Sequence, residues 1–139
     1  MTRYEVKKWL SQVGKIVRDE QRVMEEIETL RSRQTSVAKV LTGMPGGSGQ
    51  AYTLDDYAAD LDMLERKLLY KLQQERVVYT EIRAALDLLT GLTREIMVER
   101  YLMLKSWEQI AVCHDKSYRY MMKLQRRALD KLAEELEKI

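Results

Sequence analysis

The chain has no phenylalanine, one proline, one cysteine and one histidine among its 139 residues. A single cysteine, Cys113, excludes an internal disulfide and any zinc site built from several cysteines. A single histidine, His114, excludes a histidine-rich metal centre. The two are sequence neighbours, and two ligands on consecutive residues do not enclose an ion, so neither a metal nor another cofactor is expected. A thiol nucleophile would need a partner base, and the only imidazole is the adjacent residue. The carboxylate pairs Asp55/Asp56 and Glu134/Glu135 are adjacent in sequence and fall on different helix azimuths, as a helix start and a solvated tail do. No catalytic constellation and no small-molecule substrate are therefore expected.

Glycine is also scarce, at six residues, and four of them lie with Pro45 in Gly43-Met44-Pro45-Gly46-Gly47-Ser48-Gly49. A sandwich or barrel needs a turn every ~8–12 residues, and one punctuated segment cannot supply them. That segment has no Lys-Ser/Thr after it and follows a helical pattern, so it is not a phosphate loop. A long apolar run is lacking too. Lys7, Lys8, Lys15 and Arg18 interrupt the N-terminal stretch, so no leader or membrane span is expected and the cytoplasm is the expected location. At this length a barrel enzyme of ~250 residues is out of reach.

What is present is helical periodicity. Hydrophobic residues make up 45% of the chain and charged residues 33%, a balance suited to folding. Val6, Trp9, Val13, Ile16, Glu20, Val23, Ile27, Leu30, Gln34, Val37 and Leu41 follow one another at alternating steps of three and four. This heptad spacing predicts one long helix from Arg3 to Leu41, ~55–60 Å in length, with the polar stretch Arg31 to Ser36 as its weakest part. Gly14 costs such a helix about 1 kcal/mol. The second arm opens with Thr53 as N-cap and Asp55 and Asp56 in the first turn. Its seam reads Leu54, Tyr57, Leu61, Leu64, Leu68, Leu72, Glu75, Tyr79, Ile82, Leu86 and Leu89, with a stutter between Leu68 and Leu72. Two long amphipathic helices joined by a tight loop predict an antiparallel hairpin. Its narrow apolar stripe also predicts self-association, a homodimer through the helical arm.

Beyond Thr90-Gly91 the helices shorten. Thr93 is placed to cap a helix running to about Met103. Ser106 is an N-cap with Gln109 at the capping-box spacing, and Asp115 suits a left-handed turn residue. Ser117 then caps a longer helix to about Leu132. A short helix, a tight turn and a longer helix make a helix-turn-helix. Met121, Leu124, Ala128 and Leu132 share one face of the second helix and pack inward, with Trp107, Ile110 and Ala111 as the core of the first. Arg119, Met122, Lys123, Arg126 and Asp130 share the opposite face. In a DNA-binding unit the outward N-terminal half of that helix enters the major groove.

Net charge is only +2, but it is unevenly spread. Lys116 to Lys131 holds six basic residues and one acid, whereas Ala51 to Arg100 holds seven basic and ten acidic residues. A local basic helix of this kind can hold phosphates and release counterions.

These residues resemble a known group. Ile110-Ala111, Ser117, Met121, Leu124 and Arg127-Ala128-Leu129-Asp130-Lys131-Leu132 are similar to the DNA-binding part of region four of the sigma-70-class factors. Ile96-Met97 and Arg100-Tyr101 resemble the helix that precedes it. Leu30-Arg31-Ser32, Met44-Pro45-Gly46 and Ser106 to Ala111 extend the likeness to phage and prophage late-transcription regulators of the ArpU/RinA type. The resemblance implies a sequence-specific DNA-binding transcription regulator with double-stranded DNA as partner and RNA polymerase as a further one. By position it implies base reading by Tyr118, Arg119, Met122 and Lys123, where Met122 replaces the usual polar residue. It implies phosphate contacts from Lys105, Ser106, Lys116, Ser117, Arg126 and Arg127. His114 and Lys116 stand where the pattern has apolar residues.

The expected architecture is all-α, with a coiled-coil-like helical hairpin over 1–89, its loop at 43–52, and a helix-turn-helix of the sigma region-four type over 90–139. The competing expectation is a helical interaction or assembly protein whose working part is the arm and which binds no specific DNA.

Overall fold

The computed structural model describes the backbone of residues 1–41 and 52–138 and the side chains of 1–34 and 52–138. Every regular element among the described residues is helical: α1 (Arg3–Leu10), α2 (Gln12–Leu41), α3 (Leu54–Leu86), α4 (Gly91–Tyr101), α5 (Trp107–Cys113) and α6 (Tyr118–Glu137). The fold is all-α. The Gly43 to Gly49 loop lies outside the described residues. None of the described helices is long and apolar enough to cross a membrane.

The chain forms two compact units, one of residues 18–73 and one joining residues 1–17 to 74–139. The composition-based boundary between 89 and 90 does not coincide with this division. The reason lies in the long arms. Their outer ends, Val6, Leu10 and Val13 on one and Ile82, Ala85 and Leu86 on the other, share a core with the short C-terminal helices.

In the unit of residues 18–73, α2 and α3 run antiparallel. Asp19 pairs with Lys71 at 3.7 Å, whereas the later residues Val23, Ile27 and Leu30 cluster with the earlier Leu61, Leu64 and Leu68. The core is thin, since among the described residues only Val23, Ile27 and Leu64 are buried apolar residues there. Glu20, which interrupts the heptad in sequence, nonetheless keeps its place on the buried stripe. At the start of α3 the Thr53 hydroxyl accepts from the Asp56 amide at 3.1 Å and the Asp56 carboxylate accepts from the Thr53 amide at 3.0 Å. The Thr53 amide, and after it the Thr53 side chain, hold the Asp56 carboxyl below its ordinary value.

The expected stutter in α3 is absent. Leu72 and Tyr79 are exposed, 41% and 38% respectively, and so is Leu54. The less exposed positions include Tyr57, Leu61, Leu64, Leu68, Lys71, Glu75, Val78, Ile82 and Ala85, an alternation of four and three, with Asp60, Gln74 and Leu86 beside them. The heptad therefore continues through Lys71, which the apolar pattern passes over for Leu72.

Four boundaries also differ from expectation. Ser11 divides the first long helix into α1 and α2, whereas the polar stretch Arg31 to Ser36 stays helical. The Ser11 hydroxyl donates to the Lys7 carbonyl at 2.8 Å, a back-bond that bends helices. Helix α4 begins at Gly91 behind Thr90, and Thr93 lies within it. Gly91 has φ +61, a value that favours glycine and lets the chain turn into the helix three residues early. Helix α4 stops at Tyr101 rather than near Met103, and Leu104 turns left-handed at φ 59. Helix α6 runs past Leu132 to Glu137, because Leu132 is buried and Ala133 and Leu136 pack partly against the core.

The core of the larger unit draws on every helix. Ile96, Met97, Ile110, Met121 and Leu132 are fully buried with Val6, Leu10 and Ile82. Gly14 has a role here that propensity alone does not show. A Cβ on it would lie 3.3 Å from Leu104 Cδ2, so the absence of a side chain lets the α4–α5 connection pass close to α2. Within the core, Gln125 Nε2 donates to the buried Tyr101 hydroxyl at 2.7 Å. Burial pushes the Tyr101 phenol up from its ordinary value, and the bond from Gln125 partly opposes that.

Candidate nucleic-acid interface

Helices α5 and α6 are joined by the four residues His114 to Ser117. Local chemistry builds this junction at both ends. Helix α5 starts with a complete capping box, in which the Ser106 hydroxyl accepts from the Gln109 amide and the Gln109 side chain accepts from the Ser106 amide. It ends in a Schellman arrangement. The Lys116 amide donates to the Ala111 carbonyl at 2.9 Å and the Asp115 amide to the Val112 carbonyl at 3.2 Å. Asp115 supplies the left-handed residue this needs, at φ 53. Ser117 Oγ then accepts from the Tyr120 amide at 3.1 Å and starts α6.

The two polar departures at the turn are accommodated. The half-buried His114 caps α5 and places Nε2 3.0 Å from Glu99 Oε2 on α4. Exposed Lys116 carries its ammonium 5.9 Å from the Tyr120 ring centroid, a cation–π contact. Neither residue has to enter the apolar core.

Trp107, Ile110, Ala111, Met121, Leu124 and Ala128 are all buried. Arg100 lies over Trp107, 5.9 Å from the ring centroid, and donates through Nη1 to the Lys105 carbonyl at 3.0 Å. This fixes the connection ahead of α5 in place.

The opposite face of α6 carries Arg119, Lys123, Arg126 and Asp130 at steps of four, three and four, all exposed. Arg127 flanks this ridge and is exposed as well. Among the described residues none of the four cations on and beside the ridge has an ion-pair partner. Tyr118 is half exposed at the start of the helix. Met122 sits differently. It packs partly against the core, so it adjoins the ridge without standing on it. Lys105 and Ser106 are half-buried, and the oxygens of Ser106 and Ser117 already accept from helix amides. Their hydroxyl protons remain available to donate.

One feature of the ridge has no local sequence signal. Asp130 is held by Arg3, 127 residues away, through Nε and through Nη2, the latter at 3.0 Å. The guanidinium donors draw the Asp130 carboxyl below its ordinary value and raise that of Arg3. The only acid in the basic segment therefore already has a partner. No group of three or more histidine, cysteine or acidic side chains among the described residues is placed to hold a metal ion.

No protein-family model matches the chain, and no curated protein or solved structure matches it either.

Proposed function

We propose that this chain is a sequence-specific DNA-binding transcription regulator of the phage type that docks α6 in the major groove of duplex DNA. The observation that carries the proposal is the α6 ridge. Arg119, Lys123 and Arg126 project from one helix face, exposed and, among the described residues, without an ion pair, while the other face is locked into the core by Met121, Leu124 and Ala128. A rigid helix with free cations on its N-terminal half suits groove insertion, and its positive end favours phosphate. Arg119 can take guanine O6 and N7 as a bidentate pair, Lys123 can reach a neighbouring base, and Tyr118 can meet a thymine methyl or a phosphate. Lys105, Lys116, Arg126 and Arg127, with the Ser106 and Ser117 hydroxyls, supply sequence-independent phosphate contacts. Met122 contributes an apolar contact at the groove edge. In this proposal the protein works in the cytoplasm, its helical arm pairs with a second copy, and RNA polymerase is a further partner.

A duplex-binding titration over a range of salt tests it. Arg119→Ala and Lys123→Ala should each lower specific affinity by about 1–3 kcal/mol and relax base preference. Arg126→Ala should weaken all duplexes alike and flatten the salt slope by about 1. Wild-type binding by all three variants at matched salt would exclude α6 as the reading helix.

The second reading, an interaction or assembly protein, rests on α3. Met63, Leu69, Tyr70, Leu72 and Val77 are all exposed on it. It gains the ground if the wild-type chain shifts no duplex at low salt.

A further inference from the structure

The cationic ridge of α6 does not stand alone on this surface, because α1 lies beside it. The amino nitrogen of Met1 bonds to Glu137 and the Arg3 guanidinium bonds to Asp130. Residue numbers rise along α1 as they fall along α6, so the two helices run antiparallel. Val6 and Leu10 face inward and are fully buried, which fixes the rotation of α1 about its axis. Arg3 reaches the ridge from one flank of α1. Lys7, four residues on, occupies the same flank about 6 Å further along. That step leads from Asp130 toward Arg126, Lys123 and Arg119. Lys7 and its neighbour Lys8 are exposed and have no ion-pair partner among the described residues. The single acid of α1, Glu5, is committed to the Thr2 amide at 2.9 Å in the capping box.

We infer that α1 is a second DNA-contacting element, in which Lys7 binds a backbone phosphate flanking the α6 site and Arg3 cancels the charge of Asp130 on the phosphate-facing ridge. The inference rests on the DNA-binding reading of α6 and extends it to a helix that the sequence assigns to the arm. Its chemistry is electrostatic. A carboxylate on a surface that meets phosphates repels them, and a guanidinium bonded to it by two N–H groups removes that repulsion.

The test uses the full chain, a labelled duplex enriched by the chain from a random duplex library, a non-specific duplex, and a salt series from about 50 to 200 mM. Lys7→Ala should weaken both duplexes several-fold and lower the salt slope by about 0.9, the value for one phosphate contact. Arg3→Ala should weaken binding more than Lys7→Ala, because it removes a cation and exposes an anion. Adding Asp130→Ala to Arg3→Ala should restore most of the loss. A purely structural role for the pair predicts no such rescue, since both partners of the contact are then gone. The inference is overturned if Lys7→Ala keeps the wild-type salt slope and Asp130→Ala fails to rescue Arg3→Ala. Lys123→Ala separates the two levels of the argument. If it loses affinity while the α1 variants do not, only the role of α1 falls. If it too binds like wild type, together with Arg119→Ala and Arg126→Ala, the α6 reading falls and takes the α1 role with it.

Discussion

Tyr101 and Gln125 show how single residues constrain this fold. Both are buried, and each satisfies the other through one bond of 2.7 Å. Tyr101→Phe would leave the Gln125 amide desolvated without its acceptor, at a cost of about 1–3 kcal/mol. The double change Tyr101→Phe with Gln125→Leu should recover much of that loss, because a fully apolar pair leaves nothing unsatisfied. Denaturant titration of the three variants measures it, and additive losses would show that the bond is not the relevant interaction. The same scale explains why the turn residues were legible. Ser106, Gln109 and Ser117 act through amides three positions away and Asp115 through its own backbone, so their chemistry is written locally. His114 and Glu99 are fifteen residues apart and Arg3 and Asp130 are 127 apart. No periodicity links such pairs, and only the folded chain brings them together.

At the scale of elements, the contact of α1 with α6 has a pH signature. Asp130 titrates below its ordinary value because Arg3 bonds to its ionised form. A carboxyl depressed in the folded state stabilises that state above its ordinary value and loses the contribution as pH falls through the depressed one. Wild type should therefore melt above Arg3→Ala at neutral pH, and the gap should close as acid protonates Asp130. A gap independent of pH would assign the effect of Arg3 to packing alone. Helix existence was legible in the heptads because period and length agree over many turns. Helix edges were less so. Ser11 bends the first helix through a side-chain bond that the apolar pattern does not encode, and α3 keeps its heptad through Lys71 and Val78. An apolar tally jumps to Leu72 and Tyr79 instead and reports a stutter.

At the scale of the whole molecule, the two units differ in how much they bury. Among the described residues the unit of residues 18–73 buries three apolar side chains, whereas the other unit's core draws on parts of all six helices. Amide hydrogen exchange should therefore show the greatest protection around Ile96, Ile110, Leu124 and Leu132, and lower protection around Val23 and Leu64. Equal protection in both would mean that the thin core is stabilised by contacts other than its own. The division also reassigns the ends of the arms. Trp9 and Val13, and Ile82 and Ala85, serve the C-terminal unit, which a boundary drawn at the Thr90-Gly91 break separates from it. Composition marks where glycine falls, and packing decides where a unit ends. The claim that α6 reads duplex DNA is tested most directly by selection from a random duplex library with the wild-type chain and with Arg119→Ala/Lys123→Ala. The expected result is one enriched sequence for wild type, lost in the variant while weak salt-dependent binding persists. Enrichment of no sequence by the wild-type chain, or of the same sequence by the variant, would contradict it.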